Sequence, residues 1–440
     1  MRAMVEDKPQ FEVFSKHIDA RWVEEALEAT GTATLRRRRL PAEQVIWLVL
    51  GMALFRNRSM KEVVRSLDLA LPSVSGADPA ASAIVQARNK LGDEPMEWLF
   101  KRSADKWSND SADRHRWRGL AVYGLDGTTV RVPDSDANRA HFGGQNAGAG
   151  RGDSGYPLVR LVTLMVLRTH VLAGAAFGPY DSELRYAAQL WSRLPDDALV
   201  VVDRGFLSSG LLVPLTRTAL NRHWLTRARS TSQWRVLKRL GAREDLVEMD
   251  VTPEARRRDP SLGATWTARA IRYSRPGFPP QTLLTSLLDP KTHPAAEIVA
   301  IYHERWELEL GFDEVKTEML EREEAIRSKS PKGVAQELWG LALAYNLIRL
   351  EMEHVAQQAD VPPRRISFVA ALELIRTELA ALSFCDSPGT IPKRLQDLRS
   401  RIAHFILPPR RSERAFPRAV KIKMSNYPRK RPSTSRGTAK

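Results

Sequence analysis

One cysteine, Cys385, in a chain of 440 residues leaves no possibility of an internal disulfide framework or a thiolate metal cluster. A reducing cytoplasm is therefore the expected setting. Long apolar runs are also missing. The most apolar stretch, Val45 to Phe55, has 11 residues, whereas a membrane-spanning helix needs about 20, so it reads as a buried helix. Met1 to Phe11 has no apolar centre of the kind a signal peptide carries, and no membrane association is expected. Acidic residues are in short supply: 52 against 68 lysines and arginines, a net charge of +16. Such an excess favours a polyanionic partner, because each phosphate neutralised by a basic side chain releases condensed counterions.

What is present is enough for one large or two to three ordinary domains, since 43% of the residues are hydrophobic and a mostly disordered chain is excluded. The charge is uneven. From Arg410 to Lys440 eleven basic residues meet one acid, Glu413, so the tail holds +10 of the +16. It is either a solvated end or an arm that docks along a partner, with Phe416, Pro417, Tyr427 and Pro428 interrupting the charge. A second basic run, Arg36 to Arg39, is open to the same two readings.

Residues 1–118 read as a helical, DNA-binding region: Arg21–Thr30, Pro41–Phe55, Ser59–Leu67, Ala80–Leu91 and Pro95–Trp107 carry apolar residues at spacings of three and four. After Gly119 the pattern becomes strand-like. Leu120–Leu125 and Thr128–Val132 flank an expected turn at Asp126-Gly127, and Leu158–Arg168 with Val171–Phe177 resembles a hairpin. The glycine-rich stretch from Gly143 to Gly155 must be a loop, and its spacing is not that of a phosphate-binding loop. Helices over Glu183–Leu194 and Ser208–Leu220 alternate with strands at Leu199–Val202 and His223–Arg227. This is the pattern of an α/β sheet with mixed strand order. Residues 230–290 form a β-rich insertion with strands near Trp234–Lys238, Leu246–Val251, Thr265–Tyr273 and Gln281–Leu288. One long helix is expected over Ala295–Leu320, then further helices over Gly333–Gln357 and Ile366–Leu382.

Asp126 and Asp203 are expected at strand ends, where ligand-binding groups of open sheets converge. Each has a glycine close behind it; either one alone could equally be a turn residue or a helix cap. In the long helix Tyr302, Arg305, Glu309 and Lys316 are offset by 0, 3, 7 and 14 residues. At roughly 100° per residue these fall within an arc of about 60°. One helix face thus presents a phenol, a guanidinium, a carboxylate and an ammonium, although such a face can also be plain surface with ion pairs. Glu304 and Glu307 point away from it, as solvent or ion-pair residues. Asp313 lies near it and competes with Glu309 as a metal ligand.

The string Tyr302-x2-Arg305-x3-Glu309-x6-Lys316 resembles the YREK signature of the insertion-sequence-4 family of DDE transposases. Asp126 in LDGTTVRVPD and Asp203 in VVDRGFLS resemble the blocks around that family's two catalytic aspartates, and SAIVQARNKLG (Ser82 to Gly92) resembles its N-terminal helical domain. The resemblance runs from about Arg21 to Leu320 and leaves no catalytic position replaced. It implies an α/β ribonuclease H-like core over 119–229 and 291–325, interrupted by the β-rich insertion and followed by a helical C-terminal region over 326–408 and a basic tail over 409–440. It implies two Mg²⁺ (or Mn²⁺) ions on Asp126, Asp203 and Glu309, and a phosphate grip by Tyr302, Arg305 and Lys316. It further implies double-stranded DNA, at element ends and target, as the partner of a homodimer near the bacterial nucleoid.

Elementary chemistry agrees. Two Mg²⁺ ions about 4 Å apart take oxygen ligands and complete their shells with water and substrate phosphate, so three carboxylates suffice. The family implies cut-and-paste transposition: hydrolysis at the element's end, a hairpin intermediate, then strand transfer. A tightly bent end would need an aromatic surface for an unstacked base. Trp234 and Trp266 are the candidates, with Tyr273 behind them; the alternative is that both tryptophans pack the insertion's own core. Two other functions stay open: a metal-dependent nuclease of the same fold without strand transfer, and a non-catalytic DNA-binding derivative.

Overall fold

The computed structural model describes residues 17–33, 40–70, 78–144, 155–275, 278–321, 326–382 and 388–409. The basic run Arg36 to Arg39, most of the glycine-rich stretch, Cys385 and the basic tail lie outside the described residues.

The N-terminal region is helical as its periodicity predicts: α1 (Ala20–Ala29), α2 (Ala42–Leu54), α3 (Met60–Ser66), α4 (Ala81–Leu91) and α5 (Glu94–Arg114). Ser59 and Glu62 close a reciprocal capping box that fixes where α3 begins. The region does not stand apart. Its apolar residues, Val45, Val49 and Phe100 among them, share one core with Leu341, Tyr345 and Ile348 of the long C-terminal helix. A buried polar seam joins the same parts. Arg56 donates to Glu337 at 2.8 Å, and Arg327 donates to the backbone carbonyls of Phe55 (3.1 Å) and Arg58 (2.6 Å).

The strands are β1 (Ala121–Arg131), β2 (Leu158–Val166), β3 (Leu172–Gly178), β4 (Ala198–Val202), β5 (Arg222–Arg227), β6 (Arg235–Gly241), β7 (Glu244–Asp250), β8 (Thr265–Tyr273) and β9 (Gln281–Thr285). They form one nine-stranded sheet in the order β3-β2-β1-β4-β5-β9-β8-β7-β6. Pairs β1–β4 and β4–β5 are parallel, the others antiparallel. The insertion therefore extends the central sheet through β9, and Val247, Met249 and Ala268 belong to the same core as Tyr123 and Val200. Strand β4 is buried on both faces, which is why ALVVV reads as an uninterrupted apolar run.

Between the strands lie α6 (Asp136–Phe142), α7 (Glu183–Gln189), α8 (Ser209–Arg217) and α9 (Pro253–Arg258). After β9 come α10 (Ala295–Glu304), α11 (Trp306–Asp313), a π-helical turn (Glu314–Met319), α12 (Pro331–Gln358), α13 (Phe368–Leu382) and α14 (Ile391–Ala403). Helix α12 is the hub, buried along most of its 28 residues. Among the described residues no helix is long and apolar enough to cross a membrane.

Three expectations are corrected. There is no turn at Asp126-Gly127: β1 runs straight through, because β2 pairs with it from Tyr123 to Arg131. Gly127 serves a close approach instead, since a Cβ there would lie 2.6 Å from the carboxyl carbon of Glu183. The helix over 295–320 is not uniform. It tightens at Arg305, whose carbonyl accepts from Leu308, and widens into the π turn at its end. The helix over 183–194 stops at Gln189 and continues only as a 3-10 turn over Trp191–Arg193.

Candidate active site

The parallel register of β1 and β4 sets the centre of the site. Leu125 pairs with Val202, the last step of that ladder. The residue after each is an aspartate, Asp126 within β1 and Asp203 just past the end of β4, so the two stand side by side. Alternation along β1 puts Asp126 on the face of Val122, the face covered by α10 and α11, while Tyr123 and Leu125 fill the opposite core. Gly124 lets α11 come this close: a Cβ there would sit 2.9 Å from Leu308 Cδ1. Glu309 is the residue after Leu308, one position beyond this contact.

Asp126 Oδ1 accepts from the backbone N–H of Gly127 at 2.8 Å. Burial pushes its carboxyl up to about 6, and the negative charges of Asp203 and Glu183 add to the rise against the opposing pull of Gly127 and Arg305. Asp203 caps a 3-10 turn over Arg204–Phe206, its Oδ1 accepting from Gly205 N–H at 2.6 Å. That turn is strapped from behind. Thr226 Oγ1 donates to the Asp203 carbonyl (2.9 Å), and Arg229 donates to the carbonyls of Arg204 (2.8 Å) and Gly205 (2.7 Å).

Arg305 joins the glutamate to this pair. Its Nη2 donates to Glu309 Oε1 at 2.8 Å, and its Nη1 lies 3.8 Å from Asp126 Oδ2. The guanidinium is held between two carboxylates on different elements. Tyr302 is buried next to it, its phenol pushed up by burial with Arg305, Arg227 and Asp203 among the charges acting on it. Asp203, Tyr302 and Arg305 also line an open cavity of about 450 Å³ together with Arg204, Arg227, Arg275, Tyr273 and Trp306. Four arginines and the aromatic rings of Tyr273, Phe278, Tyr302 and Trp306 around one aspartate make a surface suited to a phosphate and its base.

The remaining candidates are placed differently. Lys316 lies half-buried within the π turn and does not line the cavity. Asp313 is exposed and accepts from Thr317 Oγ1 at 2.6 Å. Glu304 pairs with Arg168 at 3.1 Å, whereas Glu307 is buried and lies 2.9 Å from the His170 ring. Trp266 stacks on Trp224 at 5.2 Å, and Trp234 is half-buried against the sheet core, so both are packed against the shared core of the sheet. Trp306 at 48% exposure and Phe278 at 36% are the aromatic surfaces beside the site. Trp306 is the residue next to Arg305, a proximity visible in the sequence but outside the insertion where an aromatic was sought. Arg227, Arg229 and Arg275 carried no motif that marked them.

A hard, oxygen-preferring cation fits the donor set: two aspartates on neighbouring strands, one held up to about 6 by burial and its neighbour's charge, with Glu309 linked through Arg305. Among the described residues no three His, Cys, Asp or Glu side chains converge tightly enough to enclose an ion.

A mixed sheet with a helix laid across its β1–β4 junction is a ribonuclease H-like core, the fold of DDE phosphoryl-transfer enzymes. Comparison with known proteins narrows the class. A family model described as the insertion element 4 transposase N-terminal region matches residues 8–101, and one described as a transposase DDE domain matches residues 117–347. The transposase InsG for insertion sequence element IS4, from Escherichia coli strain K12, is 38% identical over 416 residues, 94% of this chain and 92% of the relative. The putative transposase InsZ from the same strain is 31% identical over 296 residues, 66% of this chain and 94% of the relative. A cryo-EM structure of the piggyBac transposase synaptic complex with hairpin DNA aligns at TM-score 0.44 and 12% identity, covering 92% of this chain and 87% of that one. The chain belongs to the insertion-sequence-4 family of DDE transposases, enzymes that cleave DNA and transfer its strands.

Proposed function

We propose that Asp126, Asp203 and Glu309 are the catalytic carboxylates and hold two Mg²⁺ or Mn²⁺ ions with the DNA phosphate at an element end. The observation that carries this is the Leu125–Val202 register, which sets the two aspartates side by side, with Arg305 tying Glu309 to Asp126. Ions bound there would activate the attacking oxygen and stabilise the leaving one in line with it. The chain's own residues supply the rest. Arg305, Tyr302 and the arginines of the cavity grip the phosphate, and the Thr226–Arg229 strap holds Asp203 in place. Lys316 contributes charge from the following turn.

The reaction is cut and paste. Water breaks one strand, leaving a 3′-hydroxyl and a 5′-phosphate. That 3′-hydroxyl attacks the opposite strand, closing a hairpin as the opposing P–O bond breaks. A second water reopens the hairpin before transfer to target DNA. The ~450 Å³ cavity beside Asp203 takes the base unstacked by the bend, against Trp306 and Tyr273. A homodimer holding two ends, acting in the cytoplasm at the nucleoid, completes the reading.

Asp126→Ala, Asp203→Ala and Glu309→Ala each abolish Mg²⁺-dependent cleavage of an end-bearing duplex while end binding persists. Substantial cleavage by Glu309→Ala, or its loss only in Asp313→Ala, would overturn the assignment. Pre-cleaved ends separate the transposase from a plain nuclease, which does not join them to target DNA.

A further inference from the structure

Arg305 stands where the carboxylates want a cation. It donates to Glu309 at 2.8 Å and also reaches Asp126, at 3.8 Å, from a position between α10 and α11. A guanidinium shared by two carboxylates neutralises them as a bound ion would. It is only about one-fifth exposed, so water screens the pairing weakly. The same side chain borders the cavity whose wall carries Arg204, Arg227 and Arg275. Those three positive charges give a phosphate a reason to settle there, and a phosphate settled there offers Arg305 a second anionic partner.

We propose that Arg305 is a tethered counter-cation that competes with the divalent ion for Asp126 and Glu309, and that an arriving DNA phosphate draws it away. This rests on the carboxylate assignment above and goes beyond it: the same arginine that grips DNA also gates metal loading. Without DNA, the guanidinium keeps the carboxylates paired and metal affinity low. With an end bound, Arg305 turns to the phosphate, and the carboxylates are released for the ion. Metal and DNA then bind cooperatively, and linkage requires each to raise the other's affinity by the same factor. The arrangement restrains cleavage chemistry while no end is engaged.

The test is Mn²⁺ binding to the full chain, read by electron paramagnetic resonance, with and without a duplex bearing the inverted repeat that flanks the coding region. In the absence of DNA, Arg305→Gln binds Mn²⁺ more tightly than the parent, by about 5- to 150-fold, the usual span of coupling between linked sites. The enhancement that DNA produces in the parent shrinks correspondingly in Arg305→Gln. Arg305→Lys, which keeps a charge but cannot span both carboxylates, falls between the two and serves as the measurement if the glutamine variant does not fold. DNA-free Mn²⁺ affinity in a folded Arg305→Gln equal to or weaker than the parent's overturns the gating while leaving the ligand assignment standing. Unchanged Mn²⁺ binding in Glu309→Gln, with and without DNA, refutes the ligand assignment and the gating with it.

Discussion

Replacing Arg349 by methionine tests how the helix that carries Glu309 is held from behind. Arg349 is 1% exposed on α12 and donates to both oxygens of Glu314 at 2.6 and 2.7 Å. Tyr345 OH donates to the same carboxylate at 2.7 Å, and the His170 ring bridges Glu314 (3.4 Å) and Glu307 (2.9 Å). Burial alone would raise the Glu314 carboxyl, but Arg349 and His170 overcome it and hold it at about 2, against an ordinary 4.5. Removing one partner of a buried ion pair typically costs about 3 to 5 kcal/mol, because the remaining charge is left buried without compensation. Glu314 opens the π turn and Glu307 lies two residues before Glu309, so the damage should extend to the site. Urea unfolding of Arg349→Met is expected to show a loss of about 3 kcal/mol, and single-turnover cleavage should fall more than end binding. The double variant Arg349→Met/Glu314→Gln should recover part of the stability. A loss below about 1 kcal/mol, the worth of an ordinary exposed pair, would refute the reasoning.

Gly124→Val should cost about 1 to 3 kcal/mol by overpacking, because its Cβ would lie 2.5 Å from Leu167 Cδ2 and 2.9 Å from Leu308 Cδ1. Cleavage should drop further than gel-shift affinity as α11 is pushed off the sheet, and unchanged cleavage in the folded variant would contradict this placement of Glu309. Trp306→Ala should remove the unstacked-base signal of a fluorescent base analogue near the cut end, whereas folded Trp234→Ala and Trp266→Ala should retain it; the opposite pattern would return the platform to the insertion. Glu351 is raised by burial but held at about 2, against 4.5, by hydrogen bonds from His17 and Arg399. A depressed carboxylate stabilises the fold above pH 4.5 and loses that contribution as pH falls towards 2, so denaturation between pH 6 and 3 should be less pH-dependent in Glu351→Gln. Equal slopes would rule out this pair as a source of acid sensitivity.

Which parts of the site could be read in the sequence follows from how local their causes are. β4 is announced by ALVVV because a strand buried on both faces must be apolar throughout. The capped, amphipathic N-terminal helices are announced by Ser59 with Glu62 and by apolar spacing. The triad and the YREK string were visible as types at spacings, but their mutual geometry was not. It depends on one register, Leu125 with Val202, between strands separated by a hairpin and two short helices. The glycine after Asp126 was misread for the same reason. In sequence a strand-glycine-strand pattern means a turn, but here the missing Cβ makes room for Glu183, 56 positions further on.

The helical wheel assumes a more regular helix than the chain forms. A uniform 100° per residue treats 295–320 as one rod, and that rod puts Tyr302, Arg305, Glu309 and Lys316 in a single row. The folded chain tightens at Arg305 and loosens from Glu314, so the segment is not one uniform rod. Both irregularities coincide with charges that the helix must satisfy elsewhere. Arg305 turns towards Asp126 on β1, and Glu314 turns into the buried network of Arg349, Tyr345 and His170 on other elements. A wheel contains no information about partners outside its own helix, and π turns recur at functional sites because inserting one residue re-aims everything after it. Lys316 lies in the π turn that opens with Glu314, the partner of Arg349, which lies 33 residues after Lys316 in the chain. The YREK spacing, which looks like a property of one helix, is a property of that helix together with the sheet in front of it and α12 behind it.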